Sequence, residues 1–234
     1  MSDDLFVPIF EKNGDSLVVR FDHCLDFMVS GENGGLYKSI KGLSFGPCPE
    51  GGLLNFKEVP SSYYIVNSDS KNTSVSTILF VYDNPGCYRS GENDENMSGR
   101  ALIVMIPNVD TPEYTMVRAM VTMTEGISAA FQDAGIRSDK NQQASGFSSV
   151  KFAVARKTDS KIHIQGAGKH SLYGSLIGST TRDAVFKYLS GMNGDVARTP
   201  ESVAKQYLKD AMSWNFIPED VGSEVIESIL SLER

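Results

Sequence analysis

Cysteine is scarce in this sequence, and Cys24, Cys48 and Cys87 are odd in number with no C-x-x-C spacing. That argues against both a disulfide framework and a zinc-ligand pattern, and for buried or idle thiols. Histidine is equally sparse. His23, His163 and His170 stand at no metal-ligand spacing from the carboxylates, so no metal site is expected. Positive charge is outweighed, with 22 Lys and Arg against 29 Asp and Glu and a formal net charge of −7. No basic stripe offers the clustered cations that nucleic acid or an anionic membrane needs to displace counterions. No apolar run approaches the about eighteen residues of a membrane span. The acidic start Met1-Ser2-Asp3-Asp4 lacks the charged-then-apolar pattern of a signal peptide, so a cytoplasmic protein is expected.

Linker composition is missing too, as are internal repeats and low-complexity tracts. One domain over 1–234 is expected, with a core over 1–195 and a C-terminal helical extension over 196–234. An apolar content of 41% is enough to bury a sizeable core.

The first hundred residues read as strands. Leu5–Phe10, Ser16–Phe21, Leu25–Val29 and Ser76–Tyr82 are short, rich in β-branched and aromatic residues and bounded by Asn, Gly and Asp. Gly14-Asp15 forms a hairpin turn between the first two. A polar loop over 84–99 precedes the strand Ala101–Ile106. Thr111-Pro112-Glu113 then supplies an N-cap residue, a first-turn proline and an acid. Met116, Val117, Met120, Val121, Ile127 and Phe131 follow at helical spacing, and Gly135 is the stop. The β-branched content of Val117–Thr124 keeps a strand there as an alternative. A second polar loop over 138–149 leads to strands at Val150–Ala155 and Lys161–Ile164. Leu172, Leu176, Val185 and Leu189 mark a helix ending near Gly191, and two more helices begin at Thr199-Pro200-Glu201 and Pro218-Glu219. The fold class is α/β, with α+β open: a mixed sheet from N-terminal and central strands, packed helices, and two C-terminal helices.

Chemistry concentrates in the turn Gly166-Ala167-Gly168-Lys169-His170. It resembles a phosphate loop only superficially. Walker A needs an earlier glycine and a Ser or Thr after the lysine, and His163 and His170 stand in those places. What remains is a glycine-rich approach to a helix N-terminus, whose unpaired N–H groups favour an anion or an amide oxygen. His170 there either exchanges a proton near neutral pH or merely caps the turn. Gly174-Ser175-Leu176-Ile177-Gly178 imitates a nucleophile elbow, but its spacing suits close helix packing. Glu125, among apolar neighbours, is either solvated or partly buried and suited to acid–base work.

Four stretches together resemble the adenosylcobinamide amidohydrolase family of corrinoid salvage. Phe21-Asp22-His23 with Val29-Ser30-Gly31-Glu32-Asn33-Gly34-Gly35-Leu36 looks like its strand and serine-then-Gly-Gly turn. Leu54-Asn55 with Val59 and Tyr63 is similar to its Asn…Val…Tyr segment. The run from Val117 to Ile136, with Thr124-Glu125-Gly126, resembles its Thr-Glu-Ala helix. Gly168-Lys169-His170 through Leu176-Ile177-Gly178 looks like its Gly-x-His…Leu-Ile-Gly motif. Departures are Ala144-Ser145-Gly146-Phe147-Ser148-Ser149-Val150 in place of an Ala-Thr-Gly-Thr-Gly-Thr-Asp run, Ile127 in place of a lysine, and Ser175 in place of an acid.

The resemblance implies hydrolysis of the aminopropanol amide of adenosylcobinamide to adenosylcobyric acid. No resident cofactor is implied, the cobalt corrinoid being substrate or ligand, and a homo-oligomer is left open. By residue type, Glu125 suits water activation and His170 proton delivery, with N–H groups at Gly34-Gly35 or Gly168 for the oxyanion. Asn33, Gly34, Gly35, Asn55, Ser145, Ser149, Gly168 and Lys169 are the candidate substrate-binding residues. The alternative is a corrinoid-binding or regulatory relative that has lost the chemistry, an idea the altered 144–150 run favours.

Overall fold

The computed structural model describes residues 8–31, 34–47, 49–82, 86–92, 100–138, 143–192, 208, 211–212, 216, 218 and 221–225. The chain divides into two compact units, Met1–Tyr188 and Leu189–Arg234.

The first unit is built on an eight-stranded mixed sheet. Its strands are β1 (Ile9–Asn13), β2 (Ser16–Val29), β3 (Gly35–Phe45), β4 (Leu54–Phe56), β5 (Ser62–Ser70), β6 (Thr73–Tyr82), β8 (Arg100–Pro107) and β10 (Val150–Arg156). Their order is β4-β3-β2-β10-β8-β6-β5, with β1 paired to β2. A separate two-stranded sheet joins β7 (Cys87–Tyr88) to β9 (Gly146–Phe147). Most pairs are antiparallel, and β1–β2, β2–β3 and β5–β6 are hairpins. β8 and β10 are parallel neighbours, and such a pair needs a long crossover, which α1 (Glu113–Asp133) supplies. The class is therefore α+β.

Gly14-Asp15 does turn β1 into β2. The two strands expected at Ser16–Phe21 and Leu25–Val29 are one long strand, β2, interrupted by a register shift between Arg20 and Leu25. The strand expected at Lys161–Ile164 is only an isolated bridge between His163 and Asp110, because Ile162 and Ile164 pair with the one residue Asp110. β3 and β5 were not anticipated. Leu5–Val7 of the first expected strand, and most of the two expected C-terminal helices, lie outside the described residues; of the latter, 208, 211–212 and 221–225 are helical.

α1 is a helix throughout Val117–Thr124, so the strand alternative falls. It buries Thr115, Met116, Ala119, Thr122, Met123, Gly126, Ile127, Ala130 and Phe131, a stripe at spacings of three and four. Thr111 does not cap it. Pro112 holds the N-cap position without a side-chain bond, its carbonyl accepting from Thr115 and Met116, while the buried Thr111 hydroxyl lacks a partner among the described residues. Gly135 ends the helix as expected, at φ +55°, its N–H reaching the Gln132 carbonyl.

The sheet has two different faces. One carries Leu102, Val104, Ile106, Ala153, Ala155, Phe27, Ile78 and Phe80 in a contiguous apolar cluster with the curled β2–β3 strands. Each fully buried Ile or Phe there contributes about 1.5–3 kcal/mol. The other face meets α1 and α2 (Leu172–Met192): the Thr77 and Thr180 hydroxyls share a hydrogen bond of 2.8 Å, and Tyr173 lies buried against Met105 Sδ. α1 and α2 cross almost backbone to backbone. A methyl group on Gly126 would stand 2.8 Å from the Gly178 carbonyl oxygen.

Candidate functional site

The glycine turn is laid along α1 by a ladder of side-chain bonds. Asp110 pairs with Ile162 and Ile164. The Thr115 hydroxyl then donates to the Gln165 carbonyl, and the Thr122 hydroxyl to the Ala167 carbonyl, both at 2.7 Å. Thr115 and Thr122 are seven residues apart, two helical turns, so the extended segment runs parallel to one edge of the helix. Ala167 is fully buried beneath it. Arg118 and Glu125 continue the same edge. The Arg118 guanidinium stands 3.9 Å from where a Gly168 side chain would begin, and Lys169 Nζ lies 3.4 Å from Glu125 Oε1. A carboxylate–ammonium pair thus lies on the rim of the turn, with the Arg118 guanidinium near Gly168 on the same edge.

Glu125 is neither fully solvated nor fully buried, with 38% of its side chain exposed. Its two oxygens differ. Oε1 faces Lys169, whereas Oε2 is sheltered from solvent and has no hydrogen-bond partner among the described residues. A shielded carboxylate oxygen without a donor is unfavourable unless something outside the chain supplies one. One turn further along α1, the Ser128 hydroxyl donates to the Ser145 carbonyl at 3.0 Å, and Ser145 Oγ accepts the Ser90 N–H at 2.8 Å. Ser145, Glu125, Gly168 and Lys169 therefore adjoin the same stretch of α1.

The helix start differs from expectation. α2 begins at Leu172, and Ser171 caps it, its Oγ accepting the Gly174 N–H at 3.0 Å and donating to the Gly168 carbonyl at 2.8 Å. His170 thus lies in the turn before the cap, exposed, not at the helix N-terminus. The Gly174 and Ser175 N–H groups are committed to Ser171 and the Ser171 N–H to the Gly168 carbonyl, so these three donors are occupied internally. Gly174 is obligatory for packing, since any side chain on it would collide with the Gly168 carbonyl oxygen. Gly174 thus serves close approach, as the spacing of its segment suggests, whereas a methyl group on Gly178 would meet only the Thr122 methyl at 3.8 Å.

The remaining candidates lie elsewhere. Asn33 is outside the described residues. The Gly34 N–H is committed to the Gly31 carbonyl at 2.8 Å, which removes it as an oxyanion donor, and Gly35 begins β3 opposite Val29. Asn55 uses its amide to close its own turn, donating to the Glu50 and Leu53 carbonyls and accepting the Glu50 N–H. Ser149 leads into β10, its carbonyl accepting the Ala101 N–H. Ile127, at the position of the family's lysine, is buried against Gly146. Arg118 and Thr122 carry no motif signal of their own. Only their position, three and seven residues after Thr115, hinted at a shared edge.

Among the described residues no group of three or more His, Cys, Asp or Glu side chains could hold a metal ion. No described helix is long and apolar enough to cross a membrane.

The mixed sheet and its βαβ crossover define an α+β fold, with a carboxylate–ammonium pair where the crossover helix meets the glycine turn. Residues 82–196, just under half of the chain, match the family model of adenosylcobinamide amidohydrolase. The match takes in β8, α1, β10, the glycine turn and α2, and with them Arg118, Glu125, Lys169 and His170. No curated protein matches the chain.

Proposed function

We propose that the protein hydrolyses the amide joining the aminopropanol arm to the corrin ring of adenosylcobinamide, giving adenosylcobyric acid and aminopropanol, with Glu125 as the base. The observation that carries this reading is the Glu125 carboxylate, one oxygen on Lys169 and the other sheltered and without a partner among the described residues, at the rim of a turn within the family-matched segment. Glu125 Oε2 takes a proton from water as that water attacks the amide carbon. Lys169 and Arg118 oppose the negative charge that develops on the carbonyl oxygen. His170, exposed in the turn, delivers the proton that the departing amine requires.

Substrate size agrees with this location. A corrinoid is several times larger than the sheet's cavity of about 280 Å³, so it calls for an open surface. Tyr114, Val117 and Val121 are exposed at 61%, 52% and 43%, and their spacing sets them on the outer side of α1 next to Arg118 and Glu125. A flat, largely apolar macrocycle covers such a stripe while its amide arm reaches the carboxylate.

The second reading is a corrinoid binder without hydrolysis. It is favoured by the commitment of Ser145 to Ser90 and Ser128, and by Val150 where the family carries an acid. Incubation of the purified protein with adenosylcobinamide, with adenosylcobyric acid followed by mass, separates the two. Turnover that disappears in Glu125→Gln supports the hydrolase. Tight binding without turnover supports the binder, and neither binding nor turnover removes both.

A further inference from the structure

The face of the sheet turned away from the helices holds a cavity of about 280 Å³ that the hydrolytic reading leaves unused. Its apolar wall is formed by Val29, Phe56, Tyr82 and Leu102, all of which belong to or pack against the apolar cluster of that face. Lys151 pairs in register with Leu102 on the adjacent strand, so the two side chains point to the same face, where both line the cavity. The lysine stem rests along Gly31, whose φ of +91° suits glycine alone.

Charge on the rim is unbalanced. Arg100 is neutralised by Glu58 at 2.6 Å, whereas Lys151 makes no ion pair or hydrogen bond with any described residue. Lys57 adds a second positive charge to the lining. Burial foremost, and Glu58 next, push the Tyr82 hydroxyl above its ordinary range, so it keeps its proton and remains a donor. An apolar, partly aromatic wall, a cation without an anion among the described residues and a phenol donor together match one ligand chemistry. The volume sits just below that of drug-sized ligand pockets, which limits the occupant to one or two rings.

We infer that this cavity is a second small-molecule site, which takes a small aromatic carboxylate with its ring against Phe56 and Tyr82 and its anionic group on Lys151. It does not depend on the corrinoid reading, and Lys151 belongs to no part of the proposed hydrolytic machinery.

Calorimetric titration with naphthalene-2-carboxylate and its neutral analogue naphthalene-2-carboxamide tests the site. The carboxylate is expected to bind saturably at one site, about tenfold more tightly than the amide, as a charge-assisted bond implies. Lys151→Met is expected to abolish that preference and Lys151→Arg to retain it, with circular dichroism confirming that each variant folds. No binding up to millimolar ligand, equal binding of the two compounds, or a preference that survives Lys151→Met each overturns the proposal. Turnover of adenosylcobinamide by Lys151→Met is expected to equal that of the wild type, so failure of this site and failure of the hydrolase remain distinguishable.

Discussion

The two faces of the sheet reach polar chemistry by opposite means. On the helix side, backbone meets backbone: Gly174 lies on the Gly168 carbonyl, Gly126 on the Gly178 carbonyl, and threonine hydroxyls hold the 165–168 segment in place. On the other side, large side chains fill the interior, with Phe45 stacked 5.1 Å from Phe56 and tilted against Phe80 at 4.6 Å, and a cavity remains where the packing ends. Backbone contacts leave little freedom, so the carboxylate–cation cluster on α1 is pre-organised. Side-chain packing adapts more readily, which suits reversible binding more than chemistry.

Changes on the helix side should therefore cost more, and the largest effect falls on activity. Glu125→Gln keeps the shape and removes the base, and turnover of adenosylcobinamide should drop by about 100-fold or more. Rates near wild type would take Glu125 out of the mechanism. Next comes Gly174→Ala, whose methyl group meets the Gly168 backbone oxygen. Urea denaturation should show a loss of about 2–3 kcal/mol, because backbone cannot move aside as a side chain can. Thr122→Val is a smaller change. It leaves the carbonyl of the buried Ala167 without its donor and should cost about 1 kcal/mol with the fold intact. On the other face, Lys151→Met should scarcely alter the denaturation midpoint, and a larger loss there than for Thr122→Val would reverse the comparison.

The smallest effect appears only in alkali. Burial first, then Cys87 and Tyr64, pushes the Tyr188 phenol up to about 12 from its ordinary 10.0. The folded state therefore keeps a proton that the unfolded chain releases. Stability should be intact below about pH 10 and decline as the pH rises toward 12. Tyr188→Phe should flatten part of that decline, and an unchanged slope would assign it to Tyr82 and Tyr173, which burial also shifts upward.

Elements with strong local signals were legible. β8 and β10 are short apolar runs, and α1 has Pro112 and Glu113 at its start and Gly135 at its end. β5, Ser-Tyr-Tyr-Ile-Val-Asn-Ser-Asp-Ser, was not legible. As the last strand in the sheet order it is half-exposed and polar, and it is held by its nine-residue register with β6. Thr111 looked like a cap by sequence position, yet the chain turns so that Pro112 takes that place. Motif positions singled out Glu125, Gly168 and Lys169, but also Gly34 and Asn55, whose donors serve their own turns. A motif records residue type at a spacing, and carries no information about which donors the local backbone already uses.

By itself, the sequence determined the mixed composition of strands and helices, the strand–helix–strand order of β8, α1 and β10, the glycine turn and its likeness to a corrinoid amidohydrolase. These depend on hydrophobic period, turn chemistry and residue order, which act over a few residues at a time. Tertiary structure alone decided that Lys169 meets Glu125 across 44 positions and that Arg118 stands over Gly168. Each of those outcomes rests on how closely two backbones approach, a distance set when glycine meets carbonyl in the packed fold.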